Sequence, residues 1–301
     1  MNLHDVLELI QLRRFERDPV QRLLNRTHTP DDFRAVAKRK LPRAVFDYVE
    51  GGADEEIALG ANRQAFRRRK FSPQLLRDVS TTDLTGELFG REFQAPIGLA
   101  PTGYTRMMHP TGEVSSSLAA MAKGIPYTLS TMGTTTIEEV ARTGHPNLWF
   151  QLYVTSDRRL SDPLIDRAGA AGYQALEVTI DTVVTGRRTR DMRNGLTIPP
   201  QLSPRTIVDI ARRPGYWITM LRSPAIGFAN FTALSPAEVK SAASTRISSL
   251  FDQTLNWADI EGIRKRWTGP LLLKGPIGPA DARRALDIGV TGFHLSNHGG
   301  R

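Results

Sequence analysis

The hexapeptide Ser296-Asn297-His298-Gly299-Gly300-Arg301 concentrates the chemistry of this chain, an imidazole and a guanidinium separated by two glycines. An imidazole exchanges a proton near neutral pH, and a guanidinium holds an anion through a planar fork of donors. The apolar run Gly292-Phe293-His294-Leu295 before it reads as a short buried strand, which sets His298 and Arg301 at that strand's carboxyl end. In parallel barrels catalytic groups sit at such ends. Further polar residues close other apolar runs: Pro101-Thr102-Gly103, Ser130 with Met132, Gln151 with Tyr153, Thr179 with Asp181, and Lys274. Each alone reads as a turn residue or a satisfied polar group. Together they describe the rim of a site for a planar polar cofactor.

The elements that must position these groups alternate. Residues 95–100, 126–130, 148–153, 175–180, 270–274 and 292–296 read as six strands, separated by helix patterns with start signals at Thr136-Ile137-Glu138-Glu139 and Pro279-Ala280-Asp281. That rhythm predicts an α/β fold, a (β/α)8 TIM barrel of which about six of the usual eight strands are present. Residues 1–90 are expected to form helices and a hairpin, Leu84 to Phe93, on the barrel floor, with 91–301 as the partial barrel. Residues from about 198 to 257 form an insertion after the fourth strand, long enough for a lid or a partner-binding loop. Within it Tyr216 to Leu221, flanked by Arg212, Arg213 and Arg222, reads either as a core-packed short helix or as a segment at a membrane surface.

Composition narrows the function classes. The 301 residues, 40% hydrophobic, suffice for one large α/β domain. With no cysteine, disulfides, thiolate metal sites and cysteine nucleophiles are excluded, and no other metal-ligand set is read. Met1 to Ile10 carries Asp5 and Glu8 and lacks the signal-peptide pattern, and no run approaches the roughly 18 apolar residues needed to span a bilayer. The net charge of +9 comes from scattered arginines without a recognition motif, so nucleic-acid binding is not expected. Arg67-Arg68-Arg69-Lys70, between Phe66 and Phe71, reads as the solvated end of a helix ahead of a strand. A basic surface attracts anionic substrates and acidic lipids.

Beyond these positions, the chain is similar to the FMN-dependent 2-hydroxy acid dehydrogenase and oxidase family, which includes glycolate oxidase, mandelate dehydrogenase and flavin-type L-lactate dehydrogenase. The resemblance rests on Leu41 through Tyr48, Ala100 through Gly103, His109 through Glu113, Phe150 through Tyr153, Asp181 through Arg188, Lys274-Gly275 and, most specifically, Ser296 through Arg301. Arg193 through Pro200 looks most like the bacterial L-lactate dehydrogenase branch. The resemblance implies FMN as cofactor and oxidation of an (S)-2-hydroxy acid, L-lactate foremost, to the 2-oxo acid by proton abstraction and hydride transfer. It makes His298 the general base and Asp181 the stabiliser of the imidazolium that results. Arg188 and Arg301 would clamp the substrate carboxylate, and Tyr48 and Tyr153 would bond the substrate or its developing alkoxide. Lys274 would sit at the flavin's pyrimidine edge, while Ser130, Gln151, Thr179 and Pro101-Thr102-Gly103 would hold the isoalloxazine ring. Quinone, cytochrome or oxygen is the implied electron acceptor. A homo-oligomer is implied for the complete barrel, and a cytoplasmic location with the insertion as the candidate contact to the inner face of the membrane.

Three positions depart from the family pattern. Met132 replaces an aromatic residue on the substrate pocket wall, Val183 follows Asp181-Thr182 where proline is usual, and Pro276 follows Lys274-Gly275. The family's chain also continues past the hexapeptide with two more strands and the cofactor-phosphate loops. The expectation is therefore a fragment whose sheet exposes two edges, with an inactive remnant that binds FMN weakly or not at all as the alternative. Other FMN barrels, such as type 2 isopentenyl diphosphate isomerase, lack the reason to set His and Arg together in this way.

Overall fold

A computed structural model describes residues 15–184, 186–195, 203–231 and 250–301. The chain divides into two compact units, Met1–Leu41 and Pro42–Arg301. The smaller unit holds α1 (Pro19–Leu24) and α2 (Pro30–Lys40). Thr29 and Asp32 close a reciprocal capping box on α2, and acidic residues in its first turn and basic ones in its last complement the helix dipole.

The larger unit begins with α3 (Arg43–Glu50) and α4 (Ile57–Arg68), then an antiparallel hairpin of β1 (Gly86–Leu88) and β2 (Arg91–Phe93). There follow α5 (Thr105–Met108), α6 (Gly112–Ala122), β3 (Tyr127–Ser130), α7 (Ile137–Ala141), β4 (Leu148–Tyr153), α8 (Arg158–Ala170) and β5 (Ala175–Thr179). The insertion supplies α9 (Thr189–Arg193), α10 (Pro204–Ala211) and α11 (Pro214–Leu221), before α12 (Trp257–Arg266), β6 (Leu271–Gly275), α13 (Pro279–Asp287) and β7 (Gly292–Leu295). The five strands β3 to β7 pair in chain order, every pair parallel. Sequential parallel neighbours joined through helices make an arc of a TIM barrel.

Period-2 alternation sorts the side chains of these strands. Leu129, Phe150, Leu152, Leu176, Val178, Leu271 and Leu273 face the helices and form the apolar core with Ile137, Leu164 and Ile165. The capping box that joins Thr136 to Glu139 starts α7 where the sequence predicts a helix. In the first turn of α6 a fully buried Glu113 carboxylate accepts from the Thr134 amide and from the Thr134 and Thr135 hydroxyls. A carboxylate so placed is stabilised by donors rather than by a counter-charge.

The structure corrects the sequence reading at several points. Residues 95–100 do not form a sixth strand. Only Leu99 bridges to Tyr127, through bonds to the Pro126 carbonyl and the Thr128 amide. The segment lies at the edge of the sheet, and Pro96 and Pro101 withhold donors from any ladder. The basic run does end a helix, but residues 69–85 that follow contain no strand, and Phe71 is fully exposed. Tyr216 to Leu221 is helical, yet α11 contains no buried residue, so the core-packed reading of that helix fails. Residues 1–14, 185, 196–202 and 232–249, which include the expected leader-free start and parts of the insertion, lie outside the described residues.

Candidate active site

The carboxyl ends of the strands open into a cleft of about 600 Å³. Pro101, Thr102, Gly103, Ser130, Met132, Gln151, Tyr153, Asp181, Arg188, Lys274, His298, Arg301 and Tyr48 all line it, although they lie far apart in the chain. Thr179 does not. It is buried behind the floor and accepts from the Gln151 amide at 2.7 Å. Gln151 in turn accepts from Ser130 Oγ at 3.0 Å, so this buried row is held as a single network across β3, β4 and β5. Lys274, at the end of β6, is 7% exposed and makes no ion pair among the described residues.

His298 sits over this floor. Its Nδ1 lies 3.0 Å from Asp181 Oδ1 and its Nε2 lies 3.1 Å from the Tyr153 hydroxyl. A carboxylate only accepts, so the proton resides on Nδ1 and Nε2 is left with a lone pair facing the cleft. The other carboxylate oxygen, Asp181 Oδ2, is buried with no partner, which leaves the carboxylate's charge directed at the imidazole. His298 itself adopts φ +57°, a left-handed conformation sparsely populated for a residue with a Cβ. The turn is held by Gly299 and Gly300, both also left-handed, and a Cβ on Gly300 would come within 2.6 Å of the Leu59 amide nitrogen on α4. Only glycine permits that approach.

Two guanidiniums line the same cleft. Arg188 stacks its guanidinium 4.5 Å from the Tyr48 ring centroid and hydrogen-bonds the Tyr48 carbonyl. Its Nε lies 2.9 Å from Asp191 Oδ2 but without the alignment of a hydrogen bond. Arg301 donates to the Val49 carbonyl. Burial first, and the adjacent Arg188 charge second, push the Arg301 guanidinium below its ordinary value, while it stays a cation at neutral pH. Two neighbouring cations in a half-buried cleft repel, and an anion between them relieves that cost. Burial also raises the phenols of Tyr48 and Tyr153, against the pull of nearby arginines, so both remain hydroxyl donors at physiological pH.

Two cleft residues are not legible in the sequence. Phe251, from the end of the insertion, stacks on Tyr153 with ring centroids 4.5 Å apart, and Tyr104 meets Tyr48 edge-on at 6.1 Å. Neither carries a local signal. Tyr104 directly follows the Pro101-Thr102-Gly103 turn, and that adjacency is the one cue available.

This arrangement can bind a small carboxylate between two arginines and remove a proton from a group beside it. A family model for FMN-dependent dehydrogenases matches residues 37–301. A Mycobacterium tuberculosis protein provisionally named an L-lactate dehydrogenase is 41% identical over 300 residues, which is 99% of this chain and 71% of that protein. Glycolate oxidase 1 of rice is 36% identical over 90% of this chain and 68% of its own length. The crystal structure of the monotopic membrane protein (S)-mandelate dehydrogenase superposes with a TM-score of 0.84 at 35% identity, over 90% of this chain and 72% of that one.

Proposed function

The chain belongs to the FMN-dependent dehydrogenase family, and from that premise we propose that it oxidises L-lactate to the 2-oxo acid. It is an FMN-dependent oxidoreductase of 2-hydroxy acids. The side chains present fit the cofactor. Lys274, buried without a counter-charge, suits the pyrimidine edge of a flavin, and the Ser130–Gln151–Thr179 row with the Pro101 to Gly103 backbone would hold the ring. When bound, FMN supplies the acceptor for the hydrogen that leaves the substrate Cα as hydride.

The protein's own groups would do the rest. Arg188 and Arg301 would hold the substrate carboxylate and so present the hydroxyl to His298. The Nε2 lone pair would take the hydroxyl proton, and the Asp181 carboxylate, already 3.0 Å from Nδ1, would stabilise the imidazolium. The Tyr153 hydroxyl, displaced from Nε2 by the substrate, and that of Tyr48 would donate to the developing alkoxide. Phe251 and Met132 would wall off water and limit the substrate's side chain. In this reading residues 91–301 carry the cofactor.

The observation that carries the proposal is the His298 imidazole, held by a buried carboxylate at Nδ1 and meeting the Tyr153 hydroxyl at Nε2, in a cleft with two guanidiniums. The test is anaerobic mixing of the FMN-loaded protein with L-lactate, glycolate and (S)-mandelate. L-lactate should bleach the flavin fastest. Bound flavin that none of the three bleaches would refute the assignment. Turnover with oxygen against a quinone analogue then assigns the acceptor. No helix among the described residues is long and apolar enough to cross a membrane. The exposed Trp217, Ile218 and Leu221 beside Arg213 and Arg222 support contact with an anionic membrane surface instead, and co-sedimentation with vesicles tests it. A homo-oligomer completes the proposal and is measured by light scattering.

A further inference from the structure

Beneath the catalytic pair lies a second pair of the same kind. His294 Nδ1 is 2.9 Å from Glu177 Oε2, and the two residues stand 117 positions apart, the same separation as His298 and Asp181. Each member precedes its counterpart by four residues, so one dyad is stacked a layer deeper in the barrel. Glu177 is fully buried on β5, and its Oε1 has no hydrogen-bond partner. Ionised, such a carboxylate is costly unless a cation faces it. His294 is the group within reach, and it also lines the cleft that holds His298. In the parallel ladder His294 is the direct neighbour of Lys274, which is the direct neighbour of Thr179. Adjacent parallel strands run about 4.8 Å apart, so the imidazole stands beside the lysine on the barrel face. The other titratable groups facing this pair are Glu87 of the hairpin, Tyr153 of β4, and Asp181 with His298 above.

We propose that Glu177 and His294 form a proton-holding pair that adds a pH-dependent positive charge beside Lys274 and thereby sets how much more tightly the protein holds FMN when it is reduced. Reduction places negative charge on the cofactor's pyrimidine edge, which a second cation near Lys274 stabilises. Imidazole is the side chain that gains such a charge between about pH 5 and 8, and Glu177 Oε2, 2.9 Å from Nδ1, is placed to accept the proton that Nδ1 carries. His294 is a positioning residue in this sense: it acts through the field at Lys274 and not on the substrate. The inference rests on the FMN-dependent reading.

The experiment is a spectroelectrochemical titration of the FMN-loaded protein from pH 5 to 9, for the wild type, His294→Gln and Glu177→Gln. The wild-type midpoint potential should show an inflection in this range that His294→Gln removes. At pH 6 that variant should lose about tenfold in the preference for reduced over oxidised FMN, about 30 mV for a two-electron couple, and nothing at pH 9. Glu177→Gln, which removes the carboxylate facing Nδ1, should displace the inflection. Should either single variant fold poorly, the double variant Glu177→Leu with His294→Leu replaces the pair by apolar volume and should retain FMN without the inflection. Bound FMN whose potential follows the wild-type curve in these variants overturns the proposal. If the wild type takes up no FMN, the cofactor reading falls by itself. The pair is then judged from the His294 imidazole resonance in the unloaded chain, where a titration midpoint unmoved by Glu177→Gln overturns it.

Discussion

The two faces of the five-stranded sheet are buried to a similar depth and built from opposite chemistry. Toward the helices stand Leu129, Phe150, Leu152, Leu176, Val178, Leu271 and Leu273, each at most 1% exposed. Toward the barrel axis the alternate positions include Ser130, Gln151, Glu177, Thr179 and Lys274, none more than 7% exposed, with Trp149 and Leu272 as the apolar exceptions nearer the strands' amino ends. Apolar groups gain by burial whatever they touch, whereas polar groups lose unless each finds a partner. Ser130, Gln151 and Thr179 satisfy one another, Glu177 has His294, and Lys274 awaits an anion. One face therefore stores stability, and the other stores affinity for a ligand.

The sharpest way to separate the faces is to disable the inner rim while leaving the outer core intact. His298→Gln should lower the rate of flavin reduction by L-lactate about 10²- to 10⁴-fold, or roughly 3–5 kcal/mol of transition-state stabilisation. Its melting temperature should stay near the wild type, because His298 belongs to no apolar cluster. Stopped-flow reduction and a thermal melt measure the two quantities. A variant that kept most of its rate would remove His298 from the base role and with it the distinction drawn here.

The reverse experiment cuts the outer face. Phe150 is fully buried and meets Tyr173 edge-on at 6.1 Å. Phe150→Ala should cost about 3–5 kcal/mol in urea unfolding, the range for a large aromatic removed from a close-packed core. In the fraction that remains folded, substrate specificity should not change. A loss below about 1 kcal/mol would mean that this face is less tightly packed than its burial indicates.

Most of the outer face was legible, because Leu148 to Tyr153 and Leu271 to Leu273 read as short apolar runs of strand length and Thr136 with Glu139 spells a capping box. The hexapeptide at the chain's end was equally plain, since its residues are neighbours in sequence as well as in space. Residues 95–100 misled: their composition suits a strand, but a strand forms through its neighbours, and an edge with two prolines offers few. The arrangement of Arg188, Arg301 and Tyr48 depends on contacts across more than a hundred residues, so the family resemblance implied their roles but not their mutual geometry. Glu177 and His294 were hidden for another reason. Each sits inside an otherwise apolar run, where a single polar residue is easily read as noise, and only the shared four-residue offset from Asp181 and His298 marks them.

A smaller effect is expected at the anion clamp. Arg188→Lys keeps a charge but loses the fork and the stack on Tyr48, so KM for L-lactate should rise about tenfold with kcat changed less. Equal falls in kcat and in kcat/KM would instead assign Arg188 to the transition state alone.

The least expected effect tests the outer shell by pH. His145, buried between α7 and β4, accepts from the Asn147 amide at Nδ1 (2.9 Å) and meets the Ile125 carbonyl at Nε2 (3.0 Å). These contacts hold it as a neutral tautomer, since a second ring proton would face the Asn147 N–H. Burial, which outweighs the favourable carbonyl contact, holds its folded value below the ordinary imidazole value of about 6.5. The unfolded chain therefore takes up this proton first as the pH falls. The stability contributed is complete above about pH 6.5 and is lost as the pH drops from there through the depressed folded value, with a slope of at most about 1.4 kcal/mol per pH unit. In urea unfolding between pH 7.5 and 5, His145→Gln should show a shallower decline than the wild type, with the curves converging toward low pH. Parallel curves would show that His145 takes up its proton equally in the folded and unfolded chain, and the outer shell would then hold no buried group that acid can unseat in this range.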